Sequence, residues 1–302
     1  MQIFHHCSLT SIRSEQSLAL AIGMFDGIHL GHDAMLDSLI KMAHENSLNS
    51  AVWSFTSNHH KSQHNRIISE ENRIQRLRNK KINFLHNVDF VPEISKLSAE
   101  EFLDIILIKQ LKVKVVLMGS NAQLGKDRHC KASEFKKLAA EKGIHVELFN
   151  LLTVENKVVS SSSIRSAIME GDFSKAKMFL GYPWFIEGNV IDGHKKGRAI
   201  GFPTANLLME DIVVPPKGVY ACSMSCEDLK IHNISAIVNI GQRPTLNDGD
   251  DIVVEVHIPN WSGDLYEKKI RISDLQFIRA EKKFESIDKL KYQIKLDISS
   301  LN

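Results

Sequence analysis

The stretch Leu18-Ala-Leu-Ala-Ile22-Gly23-Met-Phe25-Asp26-Gly27-Ile-His29-Leu-Gly31-His32 decides the fold of the first half of this chain. An unbroken apolar run ends at a glycine. From His32 onward, Met35, Leu36, Leu39, Ile40 and Met42 recur at helical spacing. The pattern predicts a strand, a glycine-bearing turn and an amphipathic helix, in that order. A helix start offers unpaired N–H groups and the positive end of its dipole to an anion. Gly27 and Gly31 allow the chain to turn and a phosphate to come close. His29 and His32, at i and i+3, can donate hydrogen bonds to phosphate oxygens and stabilise charge that builds up during displacement at phosphorus. Taken alone, a His-Xaa-Gly-His pattern is more simply a surface pair beside a turn. The apolar strand and the Gly-Xaa-Phe-Asp-Gly turn before it reverse that weighting. Zinc is disfavoured, because no third ligand is evident nearby.

Outward from this stretch, Ala51–Phe55, Val113–Gly119 and His145–Phe149 read as further strands, and Phe135–Lys142 as a helix. Strands alternating with helices predict a Rossmann-like parallel α/β sheet. The polar, His- and Asn-rich run 57–66 reads as a loop. The texture changes near residue 184. Short alternating segments follow at 185–191, 218–224, 235–240, 252–257 and 269–278, with Gly/Pro punctuation and no helices between them. That predicts a β-barrel or sandwich. At the end, Ile287, Leu290, Ile294 and Ile298 share one face of a terminal helix. The fold class is therefore α/β followed by β, with domains expected at 1–183 and 184–302.

Bulk composition narrows the partners. The 302 residues are 43% hydrophobic, and 38 Lys plus Arg face 36 Asp plus Glu, a net charge of +2. So even a balance argues against bulk nucleic-acid binding and permits one local nucleotide site. Cys7, Cys130, Cys222 and Cys226 form no CxxC pair and read as free thiols in a reducing compartment. There is no signal-peptide pattern and no apolar run of about 18 residues. The expectation is a cytoplasmic protein acting on small molecules, with no nucleic-acid or membrane partner. A homo-oligomer is compatible with the sequence.

Two further stretches carry chemistry. In Ser160-Ser161-Ser162-Ser-Ile-Arg165, a serine can cap a helix while the arginine presents a fork of donors to phosphate. By itself the stretch is an ordinary cap. In Gly188–Asn206, Gly193, Gly197 and Gly201 surround a basic loop of Lys195, Lys196 and Arg198. Glycines let backbone amides approach phosphates, and the cations offset their charge. The spacing is not that of a Walker A loop. Thr204 and Asn206 lie two apart, on one face of an extended segment, so both can reach one Mg²⁺ ion. Asp192 is better read as a turn residue than as a third metal contact. Val253, Glu255 and His257 share one face of a strand. A lone strand carboxylate is usually solvated. Beside a phosphate loop, Glu255 can instead take the proton of an alcohol that attacks a γ-phosphate.

With these residues in view, a family resemblance is clear. Gly23-Met-Phe-Asp-Gly-Ile-His-Leu-Gly-His32, Ser160–Arg165, Gly171-Asp172 and Leu180-Gly181 resemble the FMN adenylyltransferase module of bacterial bifunctional riboflavin kinase/FAD synthetases. Gly188–Asn206, Lys217–Ala221, Val238–Thr245, Val253–His257 and the Arg279, Glu281, Phe284 pattern, with a helix ending at Asp297, resemble the family's riboflavin kinase domain. The resemblance implies a nucleotidyltransferase domain and a six-stranded Greek-key barrel. It implies that riboflavin is phosphorylated to FMN with ATP and that FMN is adenylylated to FAD. By position, His29 and His32 bind ATP phosphates, helped by Gly23, Phe25, Asp26, Gly31, Asn121, Ser160, Ser161, Ser162 and Arg165. Thr204 and Asn206 bind Mg²⁺ with the triphosphate, and Glu255 is the base. Gly193, Lys195, Gly197, Arg198, Gly201, Pro203, Asn239 and Arg243 belong to the same kinase site.

Two departures fall in the first module. Phe55-Thr-Ser-Asn-His-His60 replaces a Pro-His-Pro-like stretch. In Gly119-Ser-Asn-Ala-Gln-Leu-Gly125, Ala122 and Leu124 replace flavin-contacting aromatics. Lost aromatic area weakens stacking. This leaves a second reading: a riboflavin kinase whose first domain synthesises FAD weakly, or serves as a nucleotide-binding or regulatory module.

Overall fold

The computed structural model describes residues 1–56, 66–192, 196–244 and 250–301. The expected loop at 57–66 lies almost wholly outside the described residues, as do Gly193, Lys195 and the side chain of Arg243. The chain divides into two compact units, Met1–Ser163 and Ile164–Asn302.

In the first unit the strands are β1 (Gln2–His6), β2 (Leu18–Ile22), β3 (Asn49–Phe55), β4 (Phe84–Val88) and β5 (Val113–Gly119). They are followed by two-residue β6 (Gln123–Leu124) and β7 (Cys130–Lys131), then β8 (His145–Phe149), then two-residue β9 (Thr153–Val154) and β10 (Lys157–Val158). The helices are α1 (Leu30–Glu45), α2 (Glu70–Asn79), the short α3 (Pro92–Ser95) and α4 (Ala99–Glu101), a π-helical stretch Phe102–Gln110, and α5 (Ala132–Glu141). The main sheet runs β1-β4-β3-β2-β5-β8, with every neighbouring pair parallel. Leu18–Ala21 of β2 are buried and Ile22 is partly so, as the uninterrupted apolar run requires of a strand covered on both faces. Met35, Leu36, Leu39 and Ala43 of α1 form one stripe that packs under β2, β3 and β5. Each Met or Leu side chain fully withdrawn from water contributes about 1.5–3 kcal/mol.

The chain leaves β2 toward β3 and β4, then crosses back to β5 on the other side of β2. This reversal opens a crevice beyond the carboxyl ends of β2 and β5, where ligands bind in open α/β sheets. β1, β4 and α2 were not anticipated from the sequence. β4 holds His86, which is buried beside His6 of β1, with His6 Nε2 and His86 Nδ1 2.9 Å apart. Polar residues inside these strands hide their period from a sequence reader.

The second unit contains α7 (Phe173–Leu180) after α6 (Ser161–Met169), which starts in the first unit. Then come β11 (Phe185–Ile191), the short α8 (Lys196–Ala199), β12 (Ala205–Met209), β13 (Gly218–Cys226), β14 (Ile231–Pro244), β15 (Asp250–His257), β16 (Lys269–Arg279) and α9 (Ile287–Ser299). The six strands close into a barrel in the order β11-β12-β15-β14-β13-β16, all antiparallel. Closure leaves no unpaired edge. Cys222 and Cys226 are buried free thiols on β13. Burial pushes the Cys222 thiol up in pKa, beyond reach at neutral pH. Among the described residues no helix is long and apolar enough to cross a membrane.

Candidate active sites

In the first unit, the turn after β2 is built for close packing. Phe25 sits fully buried in the left-handed region at φ 51°, and its ring lies 5.1 Å from that of His32. The Arg73 guanidinium, also buried, donates to the Met24 carbonyl and to the Ser54 hydroxyl, and it pairs with Glu70. It thereby ties the turn to β3 and α2. Arg73 and Arg66 hold the Glu70 carboxyl below the usual range against the opposing effect of burial. The Asp26 carboxylate accepts from the Ile67 N–H at 2.9 Å. Ser161 Oγ donates to the Asp26 carbonyl at 3.3 Å, which joins two motifs separated by 135 positions.

His29 caps α1: its Nδ1 accepts from the His32 N–H at 3.3 Å. Its proton therefore resides on Nε2. The two imidazoles stack with centroids 3.7 Å apart. Burial lowers the His29 pKa to about 4. Burial, and then the neighbouring His29, push His32 well below its ordinary value. Both rings are neutral at pH 7, so they act by hydrogen bonding rather than by net charge. His32 Nδ1 is buried without a partner among the described residues.

A cavity of about 240 Å³ lies over these rings. Gly23, Phe25, His29, Gly31, His32, Asn121, Ser160 and Ser161 line it. Ser160 caps α6 by accepting from Ser163 N–H at 3.2 Å. Ser162 is exposed, Arg165 lies one turn further along α6, and neither lines the cavity, nor does Asp26. Ala122 lines it, but Leu124 packs against the core beneath the sheet. The apolar wall comes from Phe149, Leu151 and Leu152, which the sequence did not single out.

In the barrel, strand register gathers the second constellation. Asn206 of β12 and Asn239 of β14 both pair directly with Glu255 of β15, from opposite sides. Residues paired this way carry Cβ atoms about 4.5–5.5 Å apart. A cavity of about 320 Å³ is lined by Gly197, Thr204, Asn239, Glu255 and His257, with Arg279, Phe284 and Asp297 at its far wall. A second cavity of about 260 Å³ is lined by Arg198, Pro203, Thr204, Trp261 and Tyr266. Thr204 lines both, whereas Glu255 lines only the first. Asn206 is 9% exposed and lines neither.

The turn before Thr204 depends on two glycines. A Cβ at Gly197 would run into the Phe202 carbonyl, and Gly201 adopts φ +89°. Phe202 N–H bonds the Gly197 carbonyl at 2.8 Å, folding the turn onto α8. Over the first cavity, Arg279 Nη2 meets Asp297 Oδ2 at 2.7 Å, with Nε also bonded to the carboxylate, so α9 is clamped to β16. Asn239 Nδ2 donates to Glu281 at 3.2 Å. Arg243 belongs to β14, and Asp192 is exposed. Among the described residues, no three His, Cys, Asp or Glu side chains group to hold a metal ion.

Comparison with known proteins agrees with this division. Residues 11–163 match the FAD synthetase family model, and residues 180–302 match the riboflavin kinase model. The chain is 34% identical over 287 residues to a bifunctional riboflavin kinase/FMN adenylyltransferase of Buchnera aphidicola, covering 93% of this chain and 91% of that protein. It is 33% identical over 297 residues to the Bacillus subtilis protein described in the same words, covering 95% of this chain and 92% of the other. A solved Streptococcus pneumoniae structure, described as a macrolide-efflux protein, superposes with a TM-score of 0.86 at 27% identity, over 100% of this chain and 99% of that one.

Proposed function

The chain belongs to the family of bifunctional riboflavin kinase/FMN adenylyltransferases, and from that premise we propose that each unit performs one of the two reactions. The barrel transfers the γ-phosphoryl group of ATP to riboflavin. The α/β unit transfers AMP from a second ATP to the FMN so formed, releasing pyrophosphate. The observation that carries the kinase reading is the position of Thr204, on the wall shared by two cavities, with Glu255 in one of them.

Riboflavin occupies the larger cavity, with its ribityl 5′-hydroxyl at Glu255. ATP occupies the other, with its triphosphate at Thr204 and Arg198. Glu255 takes the hydroxyl proton as the oxygen attacks the γ-phosphorus, the bond to the bridging oxygen breaks, and ADP leaves. Such transfer needs in-line placement and a positioned base more than covalent help. Thr204 offers a hydroxyl on the wall shared by the two cavities, and the buried Asn206 an amide oxygen two residues on, without a carboxylate cluster among the described residues. That donor set fits Mg²⁺, which keeps waters and takes much of its coordination from substrate phosphates. When bound, the ion neutralises charge on the phosphates.

In the α/β unit, an FMN phosphate oxygen attacks the α-phosphorus and pyrophosphate departs. The His29 tautomer leaves Nε2–H to donate to a phosphate oxygen. His32 Nδ1, buried and unpartnered, gains a partner when a ligand fills the cavity. Positive potential comes from the start of α1. Ser160, Ser161 and Asn121 line the nucleotide side, and Ser162 and Arg165 are further nucleotide contacts on the strength of the family motif alone. The family match over residues 11–163 favours the two-activity reading over a kinase with a degenerate first domain. We place the protein in the cytoplasm.

The deciding experiment incubates pure protein with riboflavin, Mg²⁺ and ATP, and resolves the flavins by chromatography. FMN and then FAD are expected. FMN alone would remove the adenylyl-transfer assignment, and neither product would remove both.

A further inference from the structure

We propose that His257 is a positioning residue for phosphoryl transfer, setting the Pro203–Thr204 peptide so that Thr204 faces the triphosphate. The inference rests on the reading of Thr204 as a ligand of the metal–triphosphate.

The register of β12 on β15 begins at Ala205, opposite Val256. The Gly201–Thr204 turn therefore leaves the sheet just before the residue that must be placed most accurately. Pro203 has no N–H and cannot hold itself by donation. Its carbonyl accepts from His257 Nδ1 at 2.8 Å. A carbonyl only accepts, so Nδ1 carries the proton. His257 thus continues the ladder one step further with a side chain. Its ring also meets Phe202 edge-on, with centroids 5.7 Å apart. The Phe202 N–H is held from the other side by the Gly197 carbonyl at 2.8 Å. The turn is pinned at two successive residues.

The peptide plane makes this pinning matter. In a trans peptide the carbonyl and the following N–H point in opposite directions. Drawing the Pro203 carbonyl toward His257 turns the Thr204 N–H away from it. Thr204 then offers a backbone donor beside its hydroxyl. Two donors on one residue can hold a phosphate oxygen in a fixed place, and in-line transfer is sensitive to errors of about 1 Å. His257 lies two residues from Glu255 on the same face of β15, so one strand positions both the base and the phosphate-holding turn.

Two polar variants separate this role from simple packing. In His257→Asn the amide nitrogen is as many bonds from the backbone as ring Nδ1, so the donor to Pro203 survives. In His257→Gln the amide nitrogen matches ring Nε2, and the donor to Pro203 is lost. We expect H257N to keep the KM for Mg-ATP within about threefold of wild type. We expect H257Q to raise it roughly tenfold, with a smaller change in kcat, the scale of one lost hydrogen bond to a substrate-holding turn. Thermal melts of both establish that the barrel is folded. Thr204→Ala is the companion measurement. If T204A raises the KM while H257Q behaves like wild type, or H257N is as impaired as H257Q, the inference is overturned alone. If T204A leaves the KM for Mg-ATP unchanged, the reading of the turn falls and this inference falls with it.

Discussion

Glu255 is flanked by two directly paired asparagines, Asn206 on β12 and Asn239 on β14. Both neighbours are neutral amides, so within this row of the sheet the carboxylate faces amide groups. A carboxylate in a substrate-sized cavity is suited to accept a proton from an alcohol.

Glu255→Gln keeps the size and the strand register but removes the basic oxygen. FMN formation should fall by about 10²–10⁴-fold. AMP transfer to supplied FMN should persist. Steady-state assays of the two half-reactions check this, and undiminished FMN formation would reject Glu255 as the base.

His29 both caps α1 and lines the cavity proposed for the nucleotide, and two substitutions separate these roles. Asparagine is a good N-cap residue. His29→Asn should therefore keep stability within about 1 kcal/mol of wild type, whereas alanine at this position loses the cap. AMP transfer should fall by about 10²–10³-fold in both, because the ring donor is gone. An active Asn variant would reduce His29 to a cap.

Acid should destabilise the first unit before it denatures by carboxylate protonation. Burial lowers His29 to about 4, and burial with the neighbouring His6 lowers His86 to about 3. Both are bases whose folded pKa lies below the unfolded value of about 6.5. The unfolded chain therefore binds protons first as pH drops. Their stabilisation is complete above about pH 6.5 and declines as pH falls toward the folded values, by up to about 1.4 kcal/mol per pH unit for each group. Urea unfolding at pH 7.5 and 5.5 tests the sign: a midpoint that rises on acidification would contradict it.

The Arg279–Asp297 pair is the clamp on α9, and Asp297 is 3% exposed. Removing one member of a buried pair strands the other, at a cost of about 3–5 kcal/mol. Asp297→Ala should lower the stability of the barrel unit by that order and weaken riboflavin binding, since both residues line the cavity proposed for the flavin. Calorimetry and quenching of flavin fluorescence provide the two measurements. Unchanged riboflavin affinity would show that α9 does not shape the cavity.

Much of the molecule was legible in advance, and the reason is local. The β2–turn–α1 unit announces itself because an apolar run buried on both faces, a glycine-bearing turn and a helical stripe are each short-range patterns. Five of the six barrel strands were readable from alternation, with β14 extending further in both directions than the pattern showed, whereas β12 was too short to show the pattern. β1 and β4 were hidden because His6 and His86, buried against each other, break the apolar signature. The role of Arg73 was equally hidden, since a buried guanidinium on a helix looks like any surface arginine until its four partners are seen.

The residues proposed to carry the chemistry, and their order along the chain, were determined by the sequence alone: His29, His32, Thr204, Asn206 and Glu255 stand in patterns that glycine and strand periodicity make recognisable. Tertiary structure alone decided which of them meet. Barrel register sets Asn206 and Asn239 against Glu255, the packing of Phe149, Leu151 and Leu152 supplies an apolar wall to the cavity over His29 and His32, and one imidazole reaches across 54 positions to hold a proline carbonyl. Periodicity reports the face a side chain occupies, but strand order and closure, which arise from burying that face against distant segments, determine its neighbours.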